Sequence, residues 1–316
     1  MNALEGLLGS LLPILVTLGL GMFSRVTGLL DEAGAGTLKK VVSRITLPFV
    51  IFQAFLTADY GADMAVIFLA VMALCLITFA LGFVFGKKLP GASPLLPYTL
   101  AGYEMGMLGY PLFMILAGAP HMGILAKVDL GQVLFVFSLY LFMLRRQTGE
   151  QKSLKEAGLD ILKNPVMLAL LSGLTLGVTG LAGRILASPL GAQITNITGF
   201  VGAPTAALIL LAIGFDFRPR PALLRPVLKA LALRLALSAL AGGLVIWLLF
   251  AILPFDPYLL LAMLMMLILP APFVLPVYSQ SAKEKEFVSM YLSTATMVTI
   301  LLFAGLLALK PLIIGA

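Results

Sequence analysis

Residues Ala101–Leu112 read AGYEMGMLGYPL, and the way this stretch is read decides the fold. It lies inside an apolar run from about Leu95 to Ala117, long enough to cross a bilayer at ~1.5 Å per residue. The run nevertheless holds Gly102, Gly106 and Gly109, then Pro111, together with the ionisable Glu104. A lipid-facing helix does not carry that combination. Interrupted backbone at membrane depth survives only where protein buries it or where it lines a watery cavity. An ionisable side chain there is a functional candidate by default. The stretch therefore reads as half of a transport site.

Composition sets the frame around it. Of 316 residues, 61% are hydrophobic and only 11% are charged, against roughly 25% charged in soluble domains. Apolar runs of about 20 residues recur along the chain, the mark of an all-α polytopic membrane protein. They leave no room for a separate soluble domain. The net charge of +7 sits in short loops between apolar runs, which indicates cytoplasmic anchoring and no nucleic-acid partner. One cysteine, Cys75, and one histidine, His121, exclude a disulfide framework and disfavour a His/Cys metal site. The N-terminus lacks the basic segment of a cleaved signal, its first charge being Glu5, so the first apolar run is expected to stay as a transmembrane helix.

Ten spans are expected, at roughly 5–25, 38–57, 63–86, 95–117, 122–145, 160–183, 191–214, 226–253, 257–279 and 286–312. Basic residues fall after odd-numbered spans. Arg25, Lys39, Lys40 and Arg44 follow the first, Lys87 and Lys88 the third, and Arg145, Arg146, Lys152, Lys155 and Lys163 the fifth. Arg218, Arg220, Arg225, Lys229 and Arg234 follow the seventh or open the eighth, and Lys283 and Lys285 follow the ninth. These are eighteen of the 21 basic residues. The positive-inside rule then places both termini outside a multi-pass cell membrane (inner or plasma).

The chain also repeats. Pro13 and Pro165 are offset by 152 residues, Pro48 and Pro204 by 156, and Pro111 and Pro270 by 159. Five spans per repeat is an odd number, so the second repeat must be inverted. The expected organisation is a first repeat over 1–150 and a second over 151–316, with broken fourth and ninth spans crossing. Inverted repeats with matched broken helices point to a secondary transporter with a midplane site.

The partner of the opening stretch is Ile268–Ser281, reading ILPAPFVLPVYSQS. Pro270, Pro272 and Pro276 cannot all fit a regular helix. Each broken span is expected to present the N-terminus of a second half-helix to the centre, attracting an anion without a full positive charge nearby. Pro111 suits the first turn of such a half-helix.

Here the chain resembles the auxin efflux carrier family, within the larger group that includes sodium–bile acid symporters. The resemblance runs through LLPILVTLGLGMFSRVTGLLDEA in the first span, then Glu104 followed by Gly109-Tyr110-Pro111. It continues through KNPVMLALLSGLTLGV and GAPTAALILLAIGFDF, then LPAPFVLPVYSQ and the Ser293-Thr294 pair. It implies a scaffold from spans 1, 2, 6 and 7 that forms a homodimer, and a transport domain from spans 3–5 and 8–10. Small organic anions would bind beside the crossover and cross by an elevator motion. No catalytic activity and no cofactor are implied beyond a coupling H+ or Na+.

Glu104 departs from the family pattern, in which many relatives carry asparagine near this position. A fixed negative charge would repel an anionic substrate. Three accounts are open. Glu104 is protonated when substrate binds, or it helps hold a coupling Na+, or it caps free N–H groups of the half-helix. The substrate-contacting set is expected to be Glu104, Gly106, Gly109, Tyr110, Pro111, Pro270, Pro272, Pro276 and Tyr278. Gln53 and Asn196 are added from the scaffold side, with interhelical hydrogen bonding as their alternative role. Lys127 and Arg184 are expected to snorkel to the outer interface. KSLKEAGLDILK, residues 152–163, reads as a short amphipathic surface stretch. The leading function is a secondary active carrier of a small organic anion. The alternatives are a Na+-coupled symporter of the bile-acid type and a non-transporting membrane receptor.

Overall fold

A computed structural model of the chain describes residues 3–86, 93–149, 156, 162–218 and 221–315. The expectations for Lys87, Lys88, Lys152, Lys155 and Arg220, and for most of the amphipathic stretch, fall outside the described residues. The described chain is helical, without strands. Among the described residues, six helical stretches are long and apolar enough to cross a membrane.

The helices are α1 (Ala3–Val26), α2 (Glu32–Val41), α3 (Leu47–Leu56), α4 (Asp63–Gly86), α5 (Leu96–Thr99), α6 (Tyr110–Ala117), α7 (Met122–Phe135) and α8 (Leu141–Gln147). They continue with α9 (Pro165–Val178), α10 (Leu181–Leu186), α11 (Pro189–Gly202), α12 (Thr205–Asp216), α13 (Pro221–Ile252), α14 (Pro257–Ile268) and α15 (Ala282–Ile314). Their starts follow local chemistry. Asp31, Asn164, Ser188, Asp256 and Ser281 each accept a backbone N–H of the first turn, relieving donors that a helix leaves orphaned. Pro165, Pro189 and Pro257 occupy first-turn positions where their missing N–H costs nothing.

Two further prolines, Pro48 and Pro111, follow widened turns. A π-turn at Val42–Thr46 joins α2 to α3 just before Pro48, and another at Met105–Gly109 leads into α6 just before Pro111. A proline cannot bond the carbonyl four residues back and its ring crowds that turn, which a π-turn relieves.

The chain divides into two compact units. Unit 1 comprises Met1–Gly61, Gly106–Lys127 and Gly158–Phe217; unit 2 comprises Ala62–Met105, Val128–Ala157 and Arg218–Ala316.

Unit 1 is held by close backbone approaches at glycine. α1 packs on α12 at Gly21 and Gly214. A Cβ at Gly21 would lie 2.2 Å from the Leu211 carbonyl, and one at Gly214 would lie 2.2 Å from that of Leu18. α3 packs on α9 at Gly173, where a Cβ would lie 2.8 Å from the Phe52 carbonyl. Small residues let helix backbones meet where lipid offers no hydrophobic drive. Polar pairs add to this. Thr205 donates to Thr46 at 2.8 Å, Lys39 pairs with Asp216, and Arg25 donates to the Phe215 and Phe217 carbonyls that end α12.

Unit 2 places the four-residue α5 against α4, with the Pro97 carbonyl 2.7 Å from where a Cβ of Gly82 would sit. Phe79, Phe83, Tyr98, Phe135 and Tyr140 enclose α5 in edge-on and tilted ring contacts, centroids 5.0–6.0 Å apart.

Candidate functional site: a crossover of two interrupted segments

The interruptions lie in unit 2. The first covers the residues between Thr99, where α5 ends, and Met105. Its pivot is Gly102, at φ +67°, a conformation glycine adopts without steric cost. A Cβ at Gly102 would stand 3.1 Å from the Pro272 ring and 3.5 Å from Tyr140. The second begins at Leu269, where α14 ends, and runs to Ser281, which caps α15. Its only regular element is a four-residue 3-10 turn, Leu275–Tyr278.

Several backbone groups released by the two breaks have partners. The Glu104 N–H donates to the Pro270 carbonyl at 2.9 Å. The Phe273 N–H donates to the Glu104 carboxylate at 2.6 Å. Glu104 thus ties the segments together twice, once through its backbone and once through its side chain. Tyr140 donates to the Tyr98 carbonyl at 2.9 Å, Tyr291 to that of Thr99 at 2.8 Å, and Thr299 to that of Ile268 at 2.5 Å. The Gln132 amide donates to the Tyr103 carbonyl.

The largest contribution comes from Arg234 on α13, which is 1% exposed. It donates to the Thr99 carbonyl at 2.9 Å, to that of Gly102 at 2.6 Å and to that of Leu269 at 3.0 Å. Its guanidinium also lies 5.0 Å from the Tyr103 ring centre, a cation–π distance. One side chain therefore closes the C-terminal ends of α5 and α14, where carbonyl dipoles favour a cation. Its Nε has no hydrogen-bond partner among the described residues.

Several expectations are corrected by this geometry. Arg234, counted with the basic residues that open the eighth span, is no cytoplasmic anchor; it is fully buried in unit 2, and seventeen basic residues remain behind the charge asymmetry. The crossover therefore does hold a full positive charge. The ninth span has no second half-helix; after Ile268 the three prolines deny it N–H donors, and one 3-10 turn is all that forms. Pro111 stands in the first turn of α6, as expected, but α6 continues a π-turn that begins at Met105, and the chain breaks earlier, at Gly102. The pair Pro111 and Pro270 thus matches a helical proline with a break proline.

The other expected site residues are distributed as follows. Pro270 and Pro272 are buried in unit 2, while Pro276 and Tyr278 are half-buried there, the Tyr278 hydroxyl receiving Arg145 Nε at 3.3 Å. Gly106, Gly109, Tyr110 and Pro111 belong to unit 1, within the helical run Met105–Ala117. Gln53, in unit 1, accepts from Thr198 at 2.8 Å, the interhelical role. Asn196 on α11 is exposed. Lys127 is buried rather than splayed to an interface, its Nζ 3.9 Å from Asp59. Arg184 is exposed at the end of α10. His121 bonds the last carbonyl of α6, that of Ala117, at 2.8 Å.

Sequence reading passed over Arg234, Gln132 and Asp129, all buried in unit 2. The available signal was their place inside spans, since an ionisable group well within an apolar run is expensive unless partnered. In the sequence Arg234 reads with the basic residues that open the eighth span, because others precede it.

These features define a membrane protein of many helices with a polar crossover inside one unit. No family model matches the chain. Over 226 residues it is 26% identical to a protein of Methanothermobacter thermautotrophicus named as an uncharacterized transporter, a match covering 67% of this chain and 68% of that protein.

Proposed function

We propose that the chain is a secondary active transporter that moves a small organic anion, a carboxylate, across a cell membrane by alternating access. The observation that carries this reading is the crossover in unit 2, where two interrupted segments are cross-tied by Glu104 and closed by buried Arg234. Uninterrupted helices would satisfy the same backbone more simply, so an interruption at membrane depth marks a place built for a polar solute. The similarity to the transporter of Methanothermobacter thermautotrophicus supports the same class.

The finer reading is a ten-span carrier of the auxin efflux type with both termini extracytoplasmic, built from inverted repeats over 1–150 and 151–316. Packing inside unit 1 supports it. α1 on α12 joins the first expected span to the seventh, and α3 on α9 joins the second to the sixth. Exchanging the two repeats turns one pair into the other. Unit 1 is then the scaffold and dimerisation part, and unit 2 the moving part of an elevator. Gly106–Lys127, which clusters with unit 1, departs from that division. Within unit 2, substrate would meet the crossover at Glu104, Pro270, Pro272, Pro276 and Tyr278. The coupling ion is H+ or Na+. The Phe273 contact favours the capping account of Glu104.

The test is a thermal-shift screen of small carboxylates, with and without Na+ and at two pH values, followed by flux into proteoliposomes. A ligand at about a hundred times its Kd adds ~2.7 kcal/mol of apparent stability. A carboxylate that stabilises the protein and is carried supports the proposal. Binding without flux points to a receptor instead, and no response to any carboxylate overturns the substrate class.

A further inference from the structure

Carbonyls at the crossover meet two kinds of partner. Single carbonyls are met by neutral side chains: Tyr140 donates to that of Tyr98, Gln132 to that of Tyr103 and Thr299 to that of Ile268. Where carbonyls of both segments come together, a charged group stands instead. The Arg234 guanidinium reaches Thr99 and Gly102 on the first segment at 2.9 and 2.6 Å, and Leu269 on the second at 3.0 Å. Thr99 accepts from the Tyr291 hydroxyl as well.

All of these groups belong to unit 2. Arg234 and Ser238 lie one turn apart on α13 and so share a face of it. Both meet Tyr103: the guanidinium carbon lies 5.0 Å from its ring centre, and the Ser238 hydroxyl lies 3.4 Å from the Tyr103 hydroxyl. The Leu269 carbonyl ends α14, a helix of 12 residues, whose aligned dipoles favour a cation at that end. The ring face of Tyr103 has the same preference.

Carbonyls of unwound backbone and of half-helix C-termini are the groups with which broken-helix carriers hold a coupling cation. Such oxygens replace the water around a bound ion. Here a side chain takes that position. An ion arriving from solution loses hydration and freedom of motion on binding, whereas a guanidinium anchored on α13 is already in place and brings a permanent charge. We propose that Arg234 is a tethered cation that substitutes for Na+ at the crossover, so that unit 2 is complete without an alkali ion. The proposal rests on the transport reading and deepens it: of the two coupling ions, Na+ is denied these carbonyls. Its test needs no substrate, so its failure would leave carboxylate transport standing.

The test is thermal unfolding of the full chain in detergent, in choline chloride, NaCl or KCl at one ionic strength, and in choline chloride partly replaced by methylguanidinium chloride. The wild type is expected to melt at the same temperature in all of them. Arg234→Ala, which takes the guanidinium away from the three carbonyls, should melt lower in choline and recover about half of the loss, saturably, with Na+ or K+. Methylguanidinium restores the missing group itself and should rescue the same variant. A side chain that only filled volume would leave no such response to alkali ions. Arg234→Lys keeps a tethered cation and should melt below the wild type without responding to Na+ or K+. If Arg234→Ala is too unstable to purify in choline, the yield of folded protein prepared in each salt replaces the melting temperature. Saturable stabilisation of the wild type by Na+ overturns the proposal. So does an alanine variant rescued by methylguanidinium alone or by no cation, and so does a lysine variant that Na+ or K+ stabilises as much as the alanine one.

Discussion

The two interruptions that cross in unit 2 reach the same end by different chemistry. The first contains no proline and turns on Gly102 at φ +67°. Its N–H and C=O groups all survive; Arg234, Tyr140, Tyr291 and Gln132 donate to carbonyls of the break and of the α5 end that leads into it, and the Glu104 N–H goes to the Pro270 carbonyl. The second contains three prolines, which delete donors outright. Part of what remains is met locally: the turn at Leu275 closes on Pro272, while the Leu269 carbonyl accepts from Arg234 and the Phe273 N–H donates to Glu104. The glycine break depends on its surroundings, whereas the proline break is largely written into its own backbone. The first should accordingly be the more sensitive to substitution elsewhere.

Substitutions can break that comparison or sharpen it. The largest effect is expected from Arg234→Met, which strips the donor from the Thr99, Gly102 and Leu269 carbonyls together. At ~1–3 kcal/mol per orphaned group the loss is on the order of 4 kcal/mol, read as a collapse of thermal stability in detergent. Arg234→Lys should recover about half of it, because charge returns without the planar fork. Full recovery by lysine would mean that charge alone matters.

Next comes Gly102→Ala. The left-handed backbone costs ~1–2 kcal/mol, and the new Cβ would press on Pro272 at 3.1 Å. A melting temperature unchanged from wild type would show that the first break does not turn on this residue. Glu104→Ala should cost about 1–2 kcal/mol by freeing the Phe273 N–H. Glu104→Gln keeps an acceptor and should cost less than half as much in chemical denaturation. Equal losses for the two would place the effect in charge rather than capping.

The smallest effect belongs to the proline break. Pro276 is half-buried, and Pro276→Ala should stay within about 0.5 kcal/mol. A loss larger than that of Gly102→Ala would invert the ranking of the two breaks.

Much of this molecule is legible in the chain. The span expected at 63–86 is α4, Asp63–Gly86, and the first, fifth, eighth and tenth expected spans fall on long helices. Hydropathy reads such segments well because a helix in lipid must satisfy its own backbone and show apolar side chains outward. The interruptions were legible too, since Gly102, Pro270 and Pro272 have backbone requirements that act locally. The position of the first break was harder to read. Pro111 marks the first turn of α6, whereas the break itself lies earlier, at Gly102, with a π-turn between them.

The sequence by itself determined that the chain is a helical membrane protein with two unwound segments, because composition, period and proline chemistry act over a few residues at a time. Only the tertiary structure decided what meets at those segments. Glu104 finds Phe273 169 residues away, and Arg234 finds Thr99 135 residues away. A freed backbone group shows that a partner is required but not which side chain supplies it. That choice is made when distant helices pack.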